Sequence, residues 1–465
     1  MSPPDTHIDH VTPYDRFAWS DSVVEHLLAT GQHQRELVAY FGESEYEALV
    51  RLAREAQAAR PLPDAPRVFI VPGIMGSQLG LRRPEPLPHD VLWIDPVDIS
   101  HGNLSLLKLP GQVPIVPLGV VLFTYLRLKL HLRIAGFDPR FHDYDWRLGI
   151  DTLGRQFADR LAAEQGRVMI VAHSMGALVT RAALACGRTA HVERIVLLGA
   201  PNSGSYAPLQ ALRGVYAVVR KLARLASAEQ SAESLASEVF STFPSLYHLL
   251  PPAGFDDAVN LLDLDTWPSS GPQPDAALLA SAQNLATHLA PGDERFVNVI
   301  GVGQETVTRV RKVRNEFEYT ITRHGDGTVP VAGAVLPGAR AYYTKVAHTE
   351  LARATDVAHA VADVLRTGET KRLETSCAGR SRAEAHITES ELRRTHTEKV
   401  DWVHMEPGAR QIFLRNLNEP PQFRLRVPAK RATATRATST RARRSPTSAT
   451  AAQRATSKRK PVRKK

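Results

Sequence analysis

The spacing of apolar positions divides the chain into regions of different texture. Residues 21–59 place Val23, Val24, Leu27 and Leu28, then Leu49, Leu52 and Ala53, at helical intervals, which predicts a helical N-terminal arm over residues 1–65, closed by the Pro-rich "RPLPDAPR". From Val68 the pattern becomes short, continuously apolar and β-branched. "RVFIVPG" (67–73), "RVMIVAHS" (167–174), "VERIVLLGAP" (192–201), "RFVNVIGVG" (295–303) and "ARAYYTKVAH" (339–348) each read as a strand buried on both faces. Helical patterns stand between some of them: "DTLGRQFADRLAAEQG", with Leu153, Phe157 and Leu161 on one face, and "MGALVTRAALACG", which ends in a glycine suited to a C-cap. Strands alternating with helices predict an α/β fold with a mostly parallel central sheet over residues 66–369.

Residues 205–290 break that alternation. Their patterns are helical with Pro-rich joints, so they are expected to form a helical insertion, a cap. Residues 370–428 give no clear periodicity and are an extension of undetermined fold. Residues 109–126, "LPGQVPIVPLGVVLFTYL", carry no charge, yet Pro110, Pro114 and Pro117 interrupt any spanning helix, and a loop leading into a helix is expected instead.

Composition refines this picture at one end. The 465 residues are 43% hydrophobic and 23% charged, ordinary values for a globular chain. The formal net charge of +10 belongs to the C-terminus: residues 430–465 hold 13 Lys and Arg and no Asp or Glu, and subtracting them leaves −3 for residues 1–429. That segment, rich in Ala, Thr, Ser and Arg, cannot bury a core and is expected to be a disordered basic tail over 429–465. Cys186 and Cys377 have no metal-type spacing and make no disulfide framework. The N-terminus lacks a basic start followed by an apolar run, so a cytoplasmic location is expected. No cofactor and no metal are expected; His7 and His10 form an H-x-x-H in a tail-like segment, which is weak as a metal site.

The chemistry concentrates at "VMIVAHSMGALVTRAAL" (168–184), where a buried strand ends in Ala-x-Ser-x-Gly and turns straight into a helix. This is the pattern of a nucleophile elbow, whose sharp turn exposes a serine hydroxyl at the C-terminal edge of the sheet. The neighbours two before and two after Ser174 must be small because strand and helix backbones approach there; they are Ala172 and Gly176. Ser174 also sits at a helix N-terminus, where free N–H groups favour negative charge, so the Met175 amide is a natural half of an oxyanion hole. A serine needs a base, and the base an orienting acid. In this arrangement the chain order is Ser, Asp or Glu, His. His348 follows a strand-like run and precedes the helical "ATDVAHAVADVLRTG"; Asp326 lies in the Gly-flanked turn "RHGDGTVP". Ser174, Asp326 and His348 are therefore the expected catalytic residues. The second oxyanion donor is expected in the loop "VPGIMGSQLG", at the amide of Ile74, with each donor worth roughly 3 kcal/mol of barrier. His173 is expected to point away from the site as packing, His324 to be a surface turn residue, and Asp143 and Asp145 to be structural.

"VPGIMGSQL" (71–79), "YDWR" (144–147), "AHSMG" (172–176), "LGAPNSGS" (198–205), "GDGTVP" (325–330) and "VAHTEL" (346–351) together resemble the lecithin:cholesterol acyltransferase family, which includes phospholipid:diacylglycerol acyltransferases and lysosomal-type phospholipases. The resemblance runs over about residues 66–366. It implies an α/β-hydrolase fold with a cap, Ser174 as acyl nucleophile, Asp326 and His348 as its partners, and Ile74 and Met175 as oxyanion amides. It departs from the family at Ala172, for the usual glycine, and at Ala177, for the usual Gly or Cys. The implied activity is acyl transfer on a lipid ester through an acyl-serine; the alternative is a lipase or phospholipase that passes the acyl group to water. The apolar segment 113–126 and the cap are expected to supply an acyl groove. The basic tail suggests an anionic membrane or lipid-granule surface as a partner, with nucleic acid the less favoured reading. A non-catalytic binder is disfavoured because it has no reason to keep triad, elbow and oxyanion loop together.

Overall fold

The parallel core follows from strands buried on both faces. The computed structural model describes residues 19–425, apart from residues 63, 86, 188, 256–258, 378–382, 403, 418, 420–422 and 424; His7, His10 and the basic tail lie outside the described residues. Six strands form the central sheet: β1 (Arg67–Val71), β2 (Asp138–Phe141), β3 (Val168–His173), β4 (Val192–Leu198), β5 (Phe296–Gly301) and β6 (Arg340–Thr344), in the order β6-β5-β4-β3-β1-β2 with every pairing parallel. Successive side chains of a strand go to opposite faces, and here both faces are covered. Phe69, Val71, Ile170, Ala172, Ile195 and Leu197 enter one apolar cluster; Val68, Ile70, Met169, Val171, Val196 and Leu198 enter the other. Pro139, which cannot donate to a ladder, sits in the edge strand β2.

Helices close each face. On the first lie α2 (Ile150–Ala162), through Leu153, Phe157 and Leu161, and α3 (Met175–Ala185), through Leu178 and Val179. On the second lie α1 (Leu122–Ile134), α4 (Thr355–Thr367) and the N-terminal arm. The arm is three helices, Asp21–Thr30, Gln34–Phe41 and Glu43–Ala58, because Gly31 and Gly42 end the first two with positive φ. Sheltered between arm and sheet, α1 is buried nearly all round. Its Lys129, 3% exposed, is neutralised by Asp21 and by Glu25 at 2.6 Å, and its Arg127 by Glu45 at 2.6 Å.

The apolar segment before α1 requires a correction. Residues Val116–Val120 form a strand, not a loop, and pair antiparallel with Ser77–Leu81, which also pairs with Asp90–Trp93. Pro117 is compatible with this because Val116–Val120 is an edge strand of a three-stranded sheet. None of the described helices is long and apolar enough to cross a membrane. Between β4 and β5 the chain runs through short helices, among them Ala207–Leu212, Ala217–Leu225, Ala232–Glu238, Pro244–His248 and Ala276–Ala282. After β5 a hairpin, Thr306–Val313 with Glu316–Thr322, receives a third strand, Glu384–Thr388, from the C-terminal extension.

Candidate active site

Ser174 occupies the junction of β3 and α3 with φ 54° and ψ −125°, a conformation costly for a residue with a Cβ. Its amide is held by the Leu198 carbonyl of the adjacent strand at 2.9 Å. The turn is tight enough that a Cβ at Gly176 would lie 2.4 Å from the Pro72 carbonyl oxygen, which is why glycine stands two residues after the serine.

Around this hydroxyl the structure brings together the other two expected residues. His348 opens a short 3₁₀ turn after β6, and its Nε2 lies 2.9 Å from Ser174 Oγ. Its Nδ1 lies 2.7 Å from Asp326 Oδ2. Asp326 Oδ1 accepts from the amides of Thr328 (3.0 Å) and Val329 (2.7 Å), and the Asp326 carbonyl accepts from the His348 amide at 2.8 Å. The carboxylate can therefore take few other orientations. Since Asp326 can only accept from the ring, Nδ1 carries the proton and Nε2 offers its lone pair to the serine. All three side chains are buried, Asp326 the most deeply at 1% exposed. Gly199, with φ 58°, clears the space beside them: a Cβ there would stand 2.9 Å from His348 Nδ1 and 3.0 Å from Asp326 Oδ2.

The loop after β1 is pinned from several sides. Tyr144 Oη donates to the Pro72 carbonyl (2.6 Å), Trp93 Nε1 to the Met75 carbonyl (2.9 Å) and Trp146 Nε1 to the Ser77 carbonyl (3.1 Å), while the Gly73 amide donates to Tyr125 Oη (2.9 Å). This gives "YDWR" a physical role, with Asp145 gripping Arg147 at 2.7 Å beside it. Met75 is turned to φ 62°. Among the described residues no group takes up the amides of Ile74 or Met175; Ile74 lines the same cavity as Ser174, and Met175 follows the serine as the first residue of α3.

His173 corrects the expectation that it points away. Its ring lies 5.0 Å from that of His348, with Nδ1 3.0 Å from Tyr125 Oη and Nε2 3.0 Å from the His348 carbonyl. Burial pushes its pKa down to about 3, with the neighbouring His348 acting in the same direction, so it is neutral. A cation at that distance would oppose protonation of His348 by about 3 kcal/mol at an effective dielectric of about 20. Burial also pushes the Tyr125 phenol well above its ordinary range. Tyr125 and His173 escaped the sequence reading because their role depends on a contact between α1 and β3, 48 residues apart. Only the polar pair His173-Ser174 ending an apolar strand hinted at it. His324 is a half-buried residue of the Asp326 turn and joins none of these contacts among the described residues.

The serine opens into a cavity lined by Ile74, Phe123, Val218, Leu246, Leu414 and Leu417, with Glu350 and Arg353 as a polar edge. Leu414 and Leu417 come from the C-terminal extension, whose helix Pro407–Arg415 ends here. Lys221 of the helical insertion holds the end of that helix by the Asn416 carbonyl at 2.6 Å. No group of three or more described His, Cys, Asp or Glu residues is placed to hold a metal ion. The arrangement is chemically suited to nucleophilic attack on an ester carbonyl in an apolar surrounding.

No curated protein matches the chain. Among solved structures, the lipase BlEst2 of Bacillus licheniformis in its propeptide form is similar over 69% of this chain at 14% identity and a TM-score of 0.36, and this chain spans about half, 54%, of its length. The mature form of that lipase aligns over 67% of this chain and 95% of its own, at 14% identity and a TM-score of 0.35. A chain of the Tle4–Tli4 complex aligns over 66% of this chain and 99% of its own, at 12% identity and a TM-score of 0.41. Residues 135–275 match the family model of lecithin:cholesterol acyltransferase, a span that holds "YDWR", "AHSMG" and "LGAPNSGS". The match falls on the stretch that carries β3, Ser174 and α3, and through it the chain resembles the lecithin:cholesterol acyltransferase family.

Proposed function

We propose that this protein transfers acyl groups from lipid esters through an acyl-serine at Ser174. The observation that carries the reading is the hydrogen-bonded series Ser174 Oγ–His348 Nε2–Asp326 Oδ2, at 2.9 and 2.7 Å, opening into an apolar cavity. His348 takes the serine proton as Oγ attacks the ester carbonyl. The oxygen that becomes negative is received by the amides of Ile74 and Met175. The tetrahedral intermediate then expels its alcohol, which leaves with the proton from His348. An acceptor alcohol, deprotonated by the same histidine, collects the acyl group in the reverse sequence. If water collects it, the enzyme is a lipase or phospholipase with the same residues in the same roles. The apolar lining from Phe123, Val218, Leu246, Leu414 and Leu417 favours a long acyl chain and a dry acyl-enzyme, which supports transfer over hydrolysis.

Product analysis tests this. The purified full chain is incubated with phospholipid vesicles, with and without an added long-chain alcohol or sterol. An acyl ester of the acceptor is expected. Free fatty acid and lysolipid alone would make the protein a hydrolase, and no product from folded protein would sink both forms. The basic tail gives the surface a sign in the same assay: deleting residues 430–465 should lower activity on anionic vesicles and leave activity on a soluble ester unchanged.

A further inference from the structure

Two side chains outside the triad connect the oxyanion loop to the general base. Gly73 N–H, Tyr125 Oη, the two nitrogens of His173 and the His348 carbonyl form one buried series with separations of 2.9, 3.0 and 3.0 Å. Its two ends are main-chain groups with a single role each. The Gly73 amide can only donate, so Tyr125 Oη accepts there; the His348 carbonyl can only accept, so His173 Nε2 carries a proton. A neutral imidazole has one N–H, which leaves Nδ1 to accept the tyrosine proton. The direction of every bond is thereby fixed, and no donor or acceptor in the series is idle.

We infer that Tyr125 and His173 are positioning residues that act as one strut, setting the distance between the oxyanion loop and His348. The inference rests on the acyl-serine reading. Both line the cavity, but their hydrogen bonds go to main chain and to each other, not to Ser174 Oγ or the His348 ring. The loop bearing Ile74 is fixed on its other sides by Tyr144 and Trp93, and His348 by Asp326. Those contacts tie each half to its own surroundings, whereas the strut spans from one half to the other. Hydrogen bonds that hold a nucleophile, its base and the oxyanion donors in register act on the rate of the chemical step and leave substrate affinity nearly untouched.

The test uses the full chain and a soluble medium-chain nitrophenyl ester, with a long-chain fluorophosphonate to label Ser174. Tyr125→Phe removes one oxygen and His173→Leu removes both ring nitrogens. Each should lower kcat by roughly 10- to 100-fold with KM within about two-fold, since a small misplacement of catalytic groups costs on that order. The double variant should be no slower than the slower single. His173→Gln, whose side-chain N–H can still reach the His348 carbonyl, should recover most of the loss. Tyr342→Phe supplies the control: it removes another buried hydroxyl, one that accepts from the Thr370 amide, and should retain wild-type kcat. Wild-type kcat in Tyr125→Phe, losses that multiply in the double variant, or an equal loss in Tyr342→Phe would each overturn the strut. Should His173→Leu fail to fold, Tyr125→Phe and His173→Gln decide. Failure of the underlying reading looks different: folded wild-type protein that the fluorophosphonate does not label, or turnover that survives in Ser174→Ala.

Discussion

Arg213 and Glu389 are buried as deeply as Asp326 and His348, yet the two pairs meet opposite conditions. The Arg213 guanidinium donates to both Glu389 oxygens, at 2.7 and 2.9 Å, and to the carbonyls of Pro272 and Ser270, at 2.5 and 2.6 Å, while Tyr319 donates to the same carboxylate at 3.4 Å. Both side chains are 0% exposed, and the pair joins the helical insertion to the C-terminal extension. Asp326 and His348 are equally well ordered on one side, but their series ends in a serine hydroxyl that faces a cavity, on a residue with φ 54°. A polar cluster whose members are all satisfied is a joint. One that ends in an unfinished bond beside a cavity, under local strain, is where chemistry is to be sought.

Substitutions should separate the two. Ser174→Ala is expected to reduce turnover by about 10⁶-fold while leaving the melting temperature within a degree or two of wild type, because alanine keeps the same Cβ and backbone and removes only the hydroxyl with its hydrogen bond to His348. Asp326→Asn keeps the shape of the site but sets the wrong tautomer of His348, for a loss of about 10⁴-fold. Burst labelling and steady-state turnover measure both. A Ser174→Ala protein that unfolds early would mean that the serine is structural and the contrast is false.

Glu389→Ala should do the reverse. It leaves Arg213 charged, buried and without its carboxylate, which costs about 3–5 kcal/mol of stability. Turnover per folded molecule should be unchanged on a soluble ester. Replacing both partners, Arg213→Met with Glu389→Leu, should recover much of the loss, because no lone charge remains. Denaturant titration of the three proteins reads this; a double variant no better than Glu389→Ala would mean that the carbonyl contacts of Arg213 matter more than its charge. Gly199→Ala tests the free space on the catalytic side. Its methyl would crowd His348 Nδ1 and Asp326 Oδ2 and require a left-handed backbone, at about 1–2 kcal/mol. Turnover should fall more than stability does.

The same contrast explains what was legible in the sequence. β1, β3, β4, β5 and β6 were visible as apolar runs because a strand covered on both faces needs apolar residues at successive positions. Ser174, Asp326 and His348 could be named because the elbow pattern and the chain order of the partners are local facts. The strand Val116–Val120 was hidden by Pro117, which an edge position tolerates, and by Pro110 and Pro114 just before it. Glu384–Thr388 was hidden because its pairing partner, Glu316–Thr322, lies far back in the chain and supplies the register. The Arg213–Glu389 joint and the Tyr125–His173 contact failed to show for the same reason: each is 48 or more residues long in sequence and carries no spacing of its own.

Acid is the gentlest probe of the comparison, since it addresses buried neutral groups one proton at a time. His173 faces Tyr125 and His348; His142 stacks on Phe157 at 4.2 Å and has the Arg160 guanidinium 3.3 Å from its Nδ1. Burial pushes both pKa values down to about 3, aided by His348 in the first case and Arg160 in the second. Each ring therefore holds fewer protons folded than unfolded once the pH drops below 6.5, the ordinary value. The stability that each contributes is complete above that pH and is lost as the pH falls toward 3, at about 1.4 kcal/mol per pH unit per group. Urea titrations of wild type and His173→Gln at pH 7.0, 6.0 and 5.5 isolate one of them, because carboxylates and other histidines act alike in both proteins. The variant should lose less stability over that interval, by about 1.3 kcal/mol in total between pH 7.0 and 5.5, since the unfolded histidine is only partly protonated there. Identical slopes would mean that His173 takes up a proton in the folded protein, which would place a cation 5.0 Å from the His348 ring and leave the Tyr125 proton without its acceptor.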